Sequence, residues 1–278
     1  MTQKKGPIGV FDSGYGGLTI LKQIRATLPQ YDYVYLGDNA RTPYGNRSFE
    51  VVYKFSLQAV KKLFDMGAPL VIFACNTASA KALRSIQQLD LPTLQPANRV
   101  LGVIRPTIEC IGDISKSQHI GLLATTGTIQ SESYPMEIAK LYPHMQVVGE
   151  ACPMWVPLVE NEEYNTEGAD YFVRKHINAL LAKDHAIDTI ILGCTHYPLL
   201  LDKIRKYVPS GIQIITQGEY VATSLANYLH RHPEMEERCS KGGSCHFLTT
   251  EYADKFEKSA SLFLEGELKV SHTSIEEL

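Results

Sequence analysis

Two short apolar runs that each end in a cysteine constrain the fold most strongly. They are Leu70-Val71-Ile72-Phe73-Ala74 before Cys75 and Thr189-Ile190-Ile191-Leu192-Gly193 before Cys194. Each run is too short for an ordinary helix, and small polar residues that can begin a helix follow each thiol. In open α/β sheets ligands bind outside the carboxyl ends of the strands, so we expect both thiols to face one substrate from opposite sides.

Length and composition favour two α/β lobes with a cleft between them. The chain has 278 residues, of which 44% are hydrophobic, and a formal net charge of -3 that gives no electrostatic footprint for nucleic acid. No stretch approaches the roughly 20 apolar residues that span a bilayer. The first seven residues lack the apolar core of a signal peptide, so we predict a cytoplasmic protein that binds neither nucleic acid nor membrane.

The first predicted strand runs into a glycine-rich turn. Ile8-Gly9-Val10-Phe11 leads into Asp12-Ser13-Gly14-Tyr15-Gly16-Gly17, and helical spacing follows from Leu18. Such a turn presents backbone N–H groups to an anion. Its spacing matches neither common nucleotide-binding motif, so no nucleotide is inferred.

A polar loop follows the second predicted strand, Tyr33-Val34-Tyr35-Leu36. Residues 37–45 contain Pro43, Tyr44 and Gly45. The loop can be an ordinary surface turn, but loops at the carboxyl ends of strands are also where binding residues accumulate.

The segment Leu91 to Pro106 contains three prolines and predicts a crossing between lobes. We therefore assign residues 1–97 and 210–278 to the first lobe and residues 98–209 to the second. The second lobe resembles a repeat of the first. Thr125-Thr126-Gly127 corresponds in position to Asp12-Ser13-Gly14, and Cys194-Thr195-His196 corresponds to Cys75-Asn76-Thr77.

Two opposed thiols are suited to inverting a carbon centre. One thiolate removes a proton from one face while the other thiol supplies a proton to the other face. A helix N-terminus or a cation can lower the pKa of a thiol toward neutrality. We expect Asp12 to favour the protonated form of Cys75 and a cationic His196 to favour thiolate at Cys194. The alternative for either cysteine alone is a small buried hydrophobic residue.

Taken together, five motifs resemble glutamate racemase, a cofactor-independent family of bacterial cell-wall synthesis. They are Phe11-Asp12-Ser13-Gly14, residues 37–45, Ala74-Cys75-Asn76-Thr77-Ala78-Ser79, Ala124-Thr125-Thr126-Gly127-Thr128 and Gly193-Cys194-Thr195-His196-Tyr197-Pro198-Leu199-Leu200. The resemblance implies two pseudo-symmetric lobes, each a mostly parallel sheet flanked by helices, with the active site in the cleft. It also implies no cofactor, no metal and a homodimer that supplies D-glutamate for peptidoglycan.

The resemblance further implies roles for individual residues. The acid/base thiols are Cys75 and Cys194, with Asp12 and His196 as auxiliary residues, and Glu160 matches a family acid near the second thiol. The substrate contacts implied are Asp12, Ser13, Pro43, Tyr44, Gly45, Asn76, Thr77, Thr128, Thr195 and His196.

The sequence departs from the family at two places and leaves two other functions open. Thr216-Gln217 stands where the family usually has Asp-Ser, and the link from Pro92 to Pro106 is longer than usual. An aspartate racemase shares the two-thiol plan, and a two-lobed binding protein also closes on a small acid. Cys239 and Cys245 with His246 allow a disulfide or a metal site, although a mobile loop is preferred.

Overall fold

A computed structural model describes residues 5–261, 263–264 and 268–275. Over these residues the strands are β1 Ile8–Asp12, β2 Tyr33–Gly37, β3 Leu70–Phe73, β4 Arg99–Gly102, β5 His119–Ala124, β6 Gln146–Ala151, β7 Thr189–Gly193, β8 Gln213–Ile215, β9 Cys245–Thr249 and β10 Val270–His272.

Helices connect most of these strands. They are α1 Leu18–Thr27, α2 Phe49–Asp65, α3 Asn76–Lys81, α4 Leu83–Ser85, α5 Leu91–Leu94, α6 Ile104–Glu109, α7 Ile111–Ile114, α8 Thr126–Gln130, α9 Ser133–Leu141, α10 Trp155–Glu160, α11 Glu167–Lys183, α12 Leu201–Tyr207, α13 Gly218–Arg231, α14 Pro233–Glu236 and α15 Ala253–Ala260. Short 3₁₀ turns cover Asn39–Arg41, Tyr44–Asn46 and Tyr197–Leu200.

The strands form two parallel sheets with matching order. Within the described residues the first sheet runs β10-β9-β2-β1-β3-β4 and the second runs β6-β5-β7-β8. The order β2-β1-β3-β4 therefore corresponds strand for strand to β6-β5-β7-β8. This confirms the predicted fold of two pseudo-symmetric α/β lobes, and it places Cys75 after β3 and Cys194 after β7 at equivalent positions.

Strand pairing corrects both predicted lobe boundaries. Strand β4 pairs with β3 in the first sheet, although residues 98–209 were assigned to the second lobe. Strand β8 pairs with β7 in the second sheet, although residues 210–278 were assigned to the first lobe. The chain thus leaves the first sheet after Gly102, through α6, and leaves the second sheet after Ile215, through α13.

The prolines misled the boundary prediction because they lie where proline does not interrupt structure. Pro92 is in the first turn of α5, and Pro106 is at the third residue of α6. The first N–H groups of a helix have no intrahelical partner, so proline is tolerated there. Pro92 and Pro106 therefore lie near the starts of short helices on either side of β4, and they do not mark one long link.

The helix predicted after Cys75, from about residue 78 to residue 89, is divided. It consists of α3, α4 and a π-helical turn, Ile86–Asp90. Apolar spacing continues across the breaks, since Ala78, Ala82 and Ile86 are each fully buried. Periodicity alone therefore does not reveal the breaks.

The central strands of the two sheets are buried on both faces. Strands β1, β2, β3 and β7 are buried along their whole length, as expected for parallel strands that read as continuous apolar runs. Such rigid strands fix the positions of the residues that follow their carboxyl ends. No helix of the described residues is long and apolar enough to cross a membrane.

The segment between Cys239 and Cys245, for which a mobile loop is the preferred prediction, is hydrogen-bonded near both ends to the first lobe. The Ser240 N–H donates to the Gly6 carbonyl at 2.7 Å, and the Ser244 hydroxyl donates to Asp32 at 2.6 Å. Both cysteines are free thiols. No cluster of three His, Cys, Asp or Glu side chains able to hold a metal exists in the described part of the chain.

Candidate active site

Cys75 lies between the end of β3 and the start of α3. Its sulfur donates to Ser13 Oγ at 3.4 Å and accepts from the Ala78 N–H at 3.4 Å, so the thiol caps the helix. Burial, together with the nearby Asp12 carboxylate, raises the pKa of Cys75 to about 12. This is the direction expected from Asp12, although the loss of solvation on burial is the larger cause.

Asp12 ends β1 and is fully buried. Its Oδ2 accepts from the Gly14 N–H at 2.8 Å, whereas its Oδ1 has no hydrogen-bond partner among the described residues. Burial raises the pKa of Asp12 above its usual value, against the opposing effect of His196. The carboxyl group therefore binds a proton more readily than an exposed aspartate does.

Cys194 follows β7 and faces the ring of His196. The Sγ atom lies 3.9 Å from His196 Nδ1, and the other ring nitrogen, Nε2, lies 3.1 Å from Glu160 Oε1. Burial lowers the pKa of His196, but the hydrogen bonds to Cys194 and Glu160 outweigh it and hold this pKa well above its usual range. The ring beside the sulfur therefore holds a second proton more readily than an exposed histidine does.

The loop after β2 forms another wall of the site. Tyr44 is buried, and its hydroxyl donates to Asp38, which also accepts from Arg41 Nε at 2.7 Å. Arg41 in turn donates to Gln58 on α2 at 2.6 Å. This chain of bonds holds the residue 43–45 segment against the end of the first sheet.

Threonines of the two lobes meet at the site. Thr77 Oγ1, on α3, lies 3.0 Å from Thr125 Oγ1 and 3.4 Å from Thr128 Oγ1, and both partners belong to the second lobe. Thr125 caps α8 through the Thr128 N–H at 3.3 Å. The lobes are therefore in direct contact beside Cys75.

One cavity collects both sulfurs and most of the predicted substrate contacts. The residues that line it and that the sequence predicted as catalytic or substrate-binding are Ser13, Pro43, Tyr44, Gly45, Cys75, Asn76, Thr77, Cys194, Thr195 and His196. Asp12 and Thr128 are not on the wall, although the Asp12 carboxylate acts on the pKa of Cys75 and the Thr128 hydroxyl lies 3.4 Å from that of Thr77.

Sequence reasoning missed seven wall residues: Thr42, Asn46, Thr125, Cys152, Pro153, Val156 and Pro157. Thr125 could have been found, because it immediately follows β5 just as Asp12 ends β1. Cys152 and the segment after it carried no signal, since they lie after β6 at an edge of the second sheet. Burial raises the pKa of Cys152 well above its usual value, so it is a neutral part of the wall.

Comparison with known proteins finds relatives of one family that match nearly the whole chain. A family model described as Asp/Glu/Hydantoin racemase matches residues 18–225. A glutamate racemase of Ruegeria sp. is 40% identical, with 94% of this chain and 97% of the relative covered. One from Geobacter metallireducens is 38% identical, with 94% and 93% covered.

Two solved structures of glutamate racemases have a fold similar to that of this chain. Glutamate racemase isoform RacE1 from Bacillus anthracis has a TM-score of 0.89 and 34% identity, with 98% of each chain covered. The glutamate racemase of Francisella tularensis, solved in complex with D-glutamate, has a TM-score of 0.86 and 30% identity, again with 98% of each chain covered. With two thiols at equivalent strand ends of paired lobes, the chain belongs to the Asp/Glu/Hydantoin racemase family of isomerases.

Proposed function

We propose that this protein interconverts L-glutamate and D-glutamate by a two-base mechanism in which Cys75 and Cys194 are the acid and base. The observation that carries the proposal is that both sulfurs line one cavity from equivalent strand ends of the two lobes. The relatives named above support glutamate as the substrate, since each is a glutamate racemase and one was solved with D-glutamate.

The proton balance of the reaction requires both sulfurs. One thiolate removes the α-proton and becomes a thiol, and the carbanion takes a proton from the other thiol, which becomes a thiolate. Each turnover therefore leaves the pair in the opposite protonation state, ready for the reverse reaction. No further acid, base or electron acceptor is needed.

The surroundings of the two sulfurs suit different starting states. Burial and Asp12 raise the pKa of Cys75 to about 12, which favours the thiol. The cationic ring of His196, 3.9 Å from the Cys194 sulfur, is the neighbour that a thiolate requires. In one direction, then, Cys194 removes the proton and Cys75 donates, with Asp12 and His196 as the auxiliary groups.

Apart from His196, the cavity offers neutral donors to the carboxylates of the substrate. The described residues that line it include no lysine or arginine. Hydroxyl, amide and backbone N–H groups must bind the carboxylates instead, as they do for anions elsewhere. The wall members assigned to substrate binding are Ser13, Pro43, Tyr44, Gly45, Asn76, Thr77, Thr195 and His196, with Asp12 and Thr128 supporting them from behind.

Exchange of the α-proton in deuterated water tests the proposal. Purified protein is incubated separately with L-glutamate and L-aspartate, and deuterium at the α-carbon and optical rotation are followed. We expect exchange and inversion with glutamate. Exchange with aspartate alone identifies an aspartate racemase instead, and binding of glutamate without exchange by folded protein identifies a binding protein.

A matched control separates the two thiols from cysteine in general. Cys110 is half-buried and does not line the cavity. Cys110→Ser is therefore expected to racemise glutamate at the rate of the unaltered protein, whereas Cys75→Ser and Cys194→Ser are not.

The resemblance to glutamate racemases supports three further parts of the proposal. The enzyme works in the cytoplasm, supplies D-glutamate to peptidoglycan synthesis and forms a homodimer. Sedimentation velocity measures the dimer. Depletion of the protein in its host is expected to cause lysis that external D-glutamate prevents.

A further inference from the structure

Gln217 is a buried amide that contacts both lobes. Only 3% of it is exposed, and it lies immediately before α13. Its Nε2 donates to Thr107 Oγ1 and to Tyr134 OH, both at 2.9 Å. Its Oε1 accepts from Asn76 Nδ2 at 2.5 Å.

The bonds of Thr107 fix which way this amide points. The Thr107 hydroxyl donates its one proton to the Val103 carbonyl at 2.7 Å. Its oxygen can then only accept a proton from Gln217. The Gln217 nitrogen must therefore face Thr107, and the Gln217 oxygen must face Asn76.

The direction of Gln217 in turn fixes the direction of Asn76. Asn76 must turn its nitrogen toward the Gln217 oxygen, and its own Oδ1 accepts from Tyr134 OH at 2.7 Å. Of the two protons on Asn76 Nδ2, one is used by Gln217, and the described residues provide no acceptor for the other. Because Asn76 lines the cavity, this second N–H is the group it can offer to a ligand.

We infer that Gln217 is a positioning residue that, together with Thr107 and Tyr134, orients the Asn76 amide so that it presents a donor to the substrate. This inference rests on the proposed function, in which the substrate carries carboxylates. A carboxylate accepts the Asn76 N–H. A reversed Asn76 would present its carbonyl and favour an amide, which can donate.

Substitutions at Thr107 test the inference away from the cavity. Thr107→Val keeps the shape but removes the hydroxyl, so the amides lose their imposed direction, while Thr107→Ser keeps the hydroxyl. The readout is the ratio of the inhibition constant of an amide analogue to the KM of glutamate, measured with glutamine and with the α-amide of glutamate. We expect Thr107→Val to lower one of these ratios about three- to tenfold, and Thr107→Ser to keep both within about twofold.

Gln217→Met provides a second, independent variant, since it removes every polar atom of the amide and keeps its length. It is expected to lower the same ratio as Thr107→Val. Ratios that stay within about twofold in both variants overturn the inference, even if stability or kcat falls, because a merely structural role changes all ligands equally. If Thr107→Val does not fold, Tyr134→Phe replaces it with the same expected result.

Failure of the inference is distinguishable from failure of the proposed function. If the unaltered protein does not racemise glutamate, the proposed function is wrong whatever the variants do. If it racemises glutamate and the ratios do not move, only the assignment of Gln217 is wrong.

Discussion

Glu160 accepts a hydrogen bond from His196 Nε2 at 3.1 Å, while the opposite nitrogen of the same ring faces the Cys194 sulfur at 3.9 Å. The imidazole thus lies between a carboxylate and a thiol. Both neighbours help to raise the pKa of His196 against the effect of burial, so the ring keeps its proton above the pH at which an exposed histidine loses it.

Glu160→Gln is expected to move the alkaline limb of the pH–rate profile to lower pH. The substitution removes the negative charge that raises the pKa of His196, so the ring loses its proton at a lower pH and the cation beside Cys194 disappears sooner. The measurement is kcat/KM for glutamate against pH. Glu162→Gln is the control, because Glu162 is exposed, and an equal shift in both variants would contradict the assignment.

Cys75→Ser and Cys194→Ser are each expected to lower racemisation by a factor of about 10²–10⁴, the usual contribution of one acid or base. An analogue with a leaving group on the β-carbon loses it after a single deprotonation, so elimination needs one base only. From a single enantiomer, the variant that keeps the correct base retains elimination. Equal elimination in both variants would show that the thiols do not act on opposite faces.

Much of the fold follows from the sequence because parallel strands are buried on both faces. The apolar runs before Cys75 and Cys194 leave little alternative to buried strands, and small polar residues mark their ends. The lobe boundaries did not follow, because strand pairing depends on contacts distant in sequence. Residues 99–102 contain no signal that they pair with β3 rather than begin the second lobe.

In the candidate site, too, some residues could be predicted from the local sequence and others depend on how distant segments pack. Residues directly after strands were identified, including Ser13, Cys75 and Cys194, since the end of a strand is visible in the sequence. Val156, on α10, was not, because its place on the cavity wall depends on how that helix packs. The raised pKa of Cys75 was expected from Asp12, but its larger cause, burial of the thiol, was not predicted because it depends on the complete fold.

Tyr44→Phe is expected to raise the KM of glutamate several-fold while changing kcat less. It removes the hydroxyl that donates to Asp38, at a cost of about 0.5–1.5 kcal/mol, and loosens the loop that forms one wall. Steady-state kinetics with both enantiomers provides the measurement. Tyr53→Phe is the matched control, since the Tyr53 hydroxyl donates to Asp90 at 2.7 Å and Tyr53 is absent from the cavity wall. A similar KM change in the control would rule out a specific role for Tyr44.

Gly16→Ala is expected to abolish most activity. A Cβ at Gly16 would lie 2.4 Å from His196 Nδ1 and 2.5 Å from Thr195 Oγ1, so the ring beside Cys194 must shift. Gly168→Ala is the control, since the nearest atom to its Cβ, Thr166 Oγ1, is 3.5 Å away, and it is expected to stabilise α11 by up to about 1 kcal/mol. Urea unfolding and kcat/KM are measured for both. Full activity in Gly16→Ala would show that His196 can move without consequence.

The burial of both sulfurs has a consequence for how fast reagents in solution reach them. Cys75 is 5% exposed and Cys194 is 6% exposed, so we expect a reagent such as iodoacetamide to alkylate either thiol only when the structure around it opens. The alkylation rate of these two thiols is therefore expected to report how often this opening occurs. A tightly bound ligand that keeps the site closed should lower the rate.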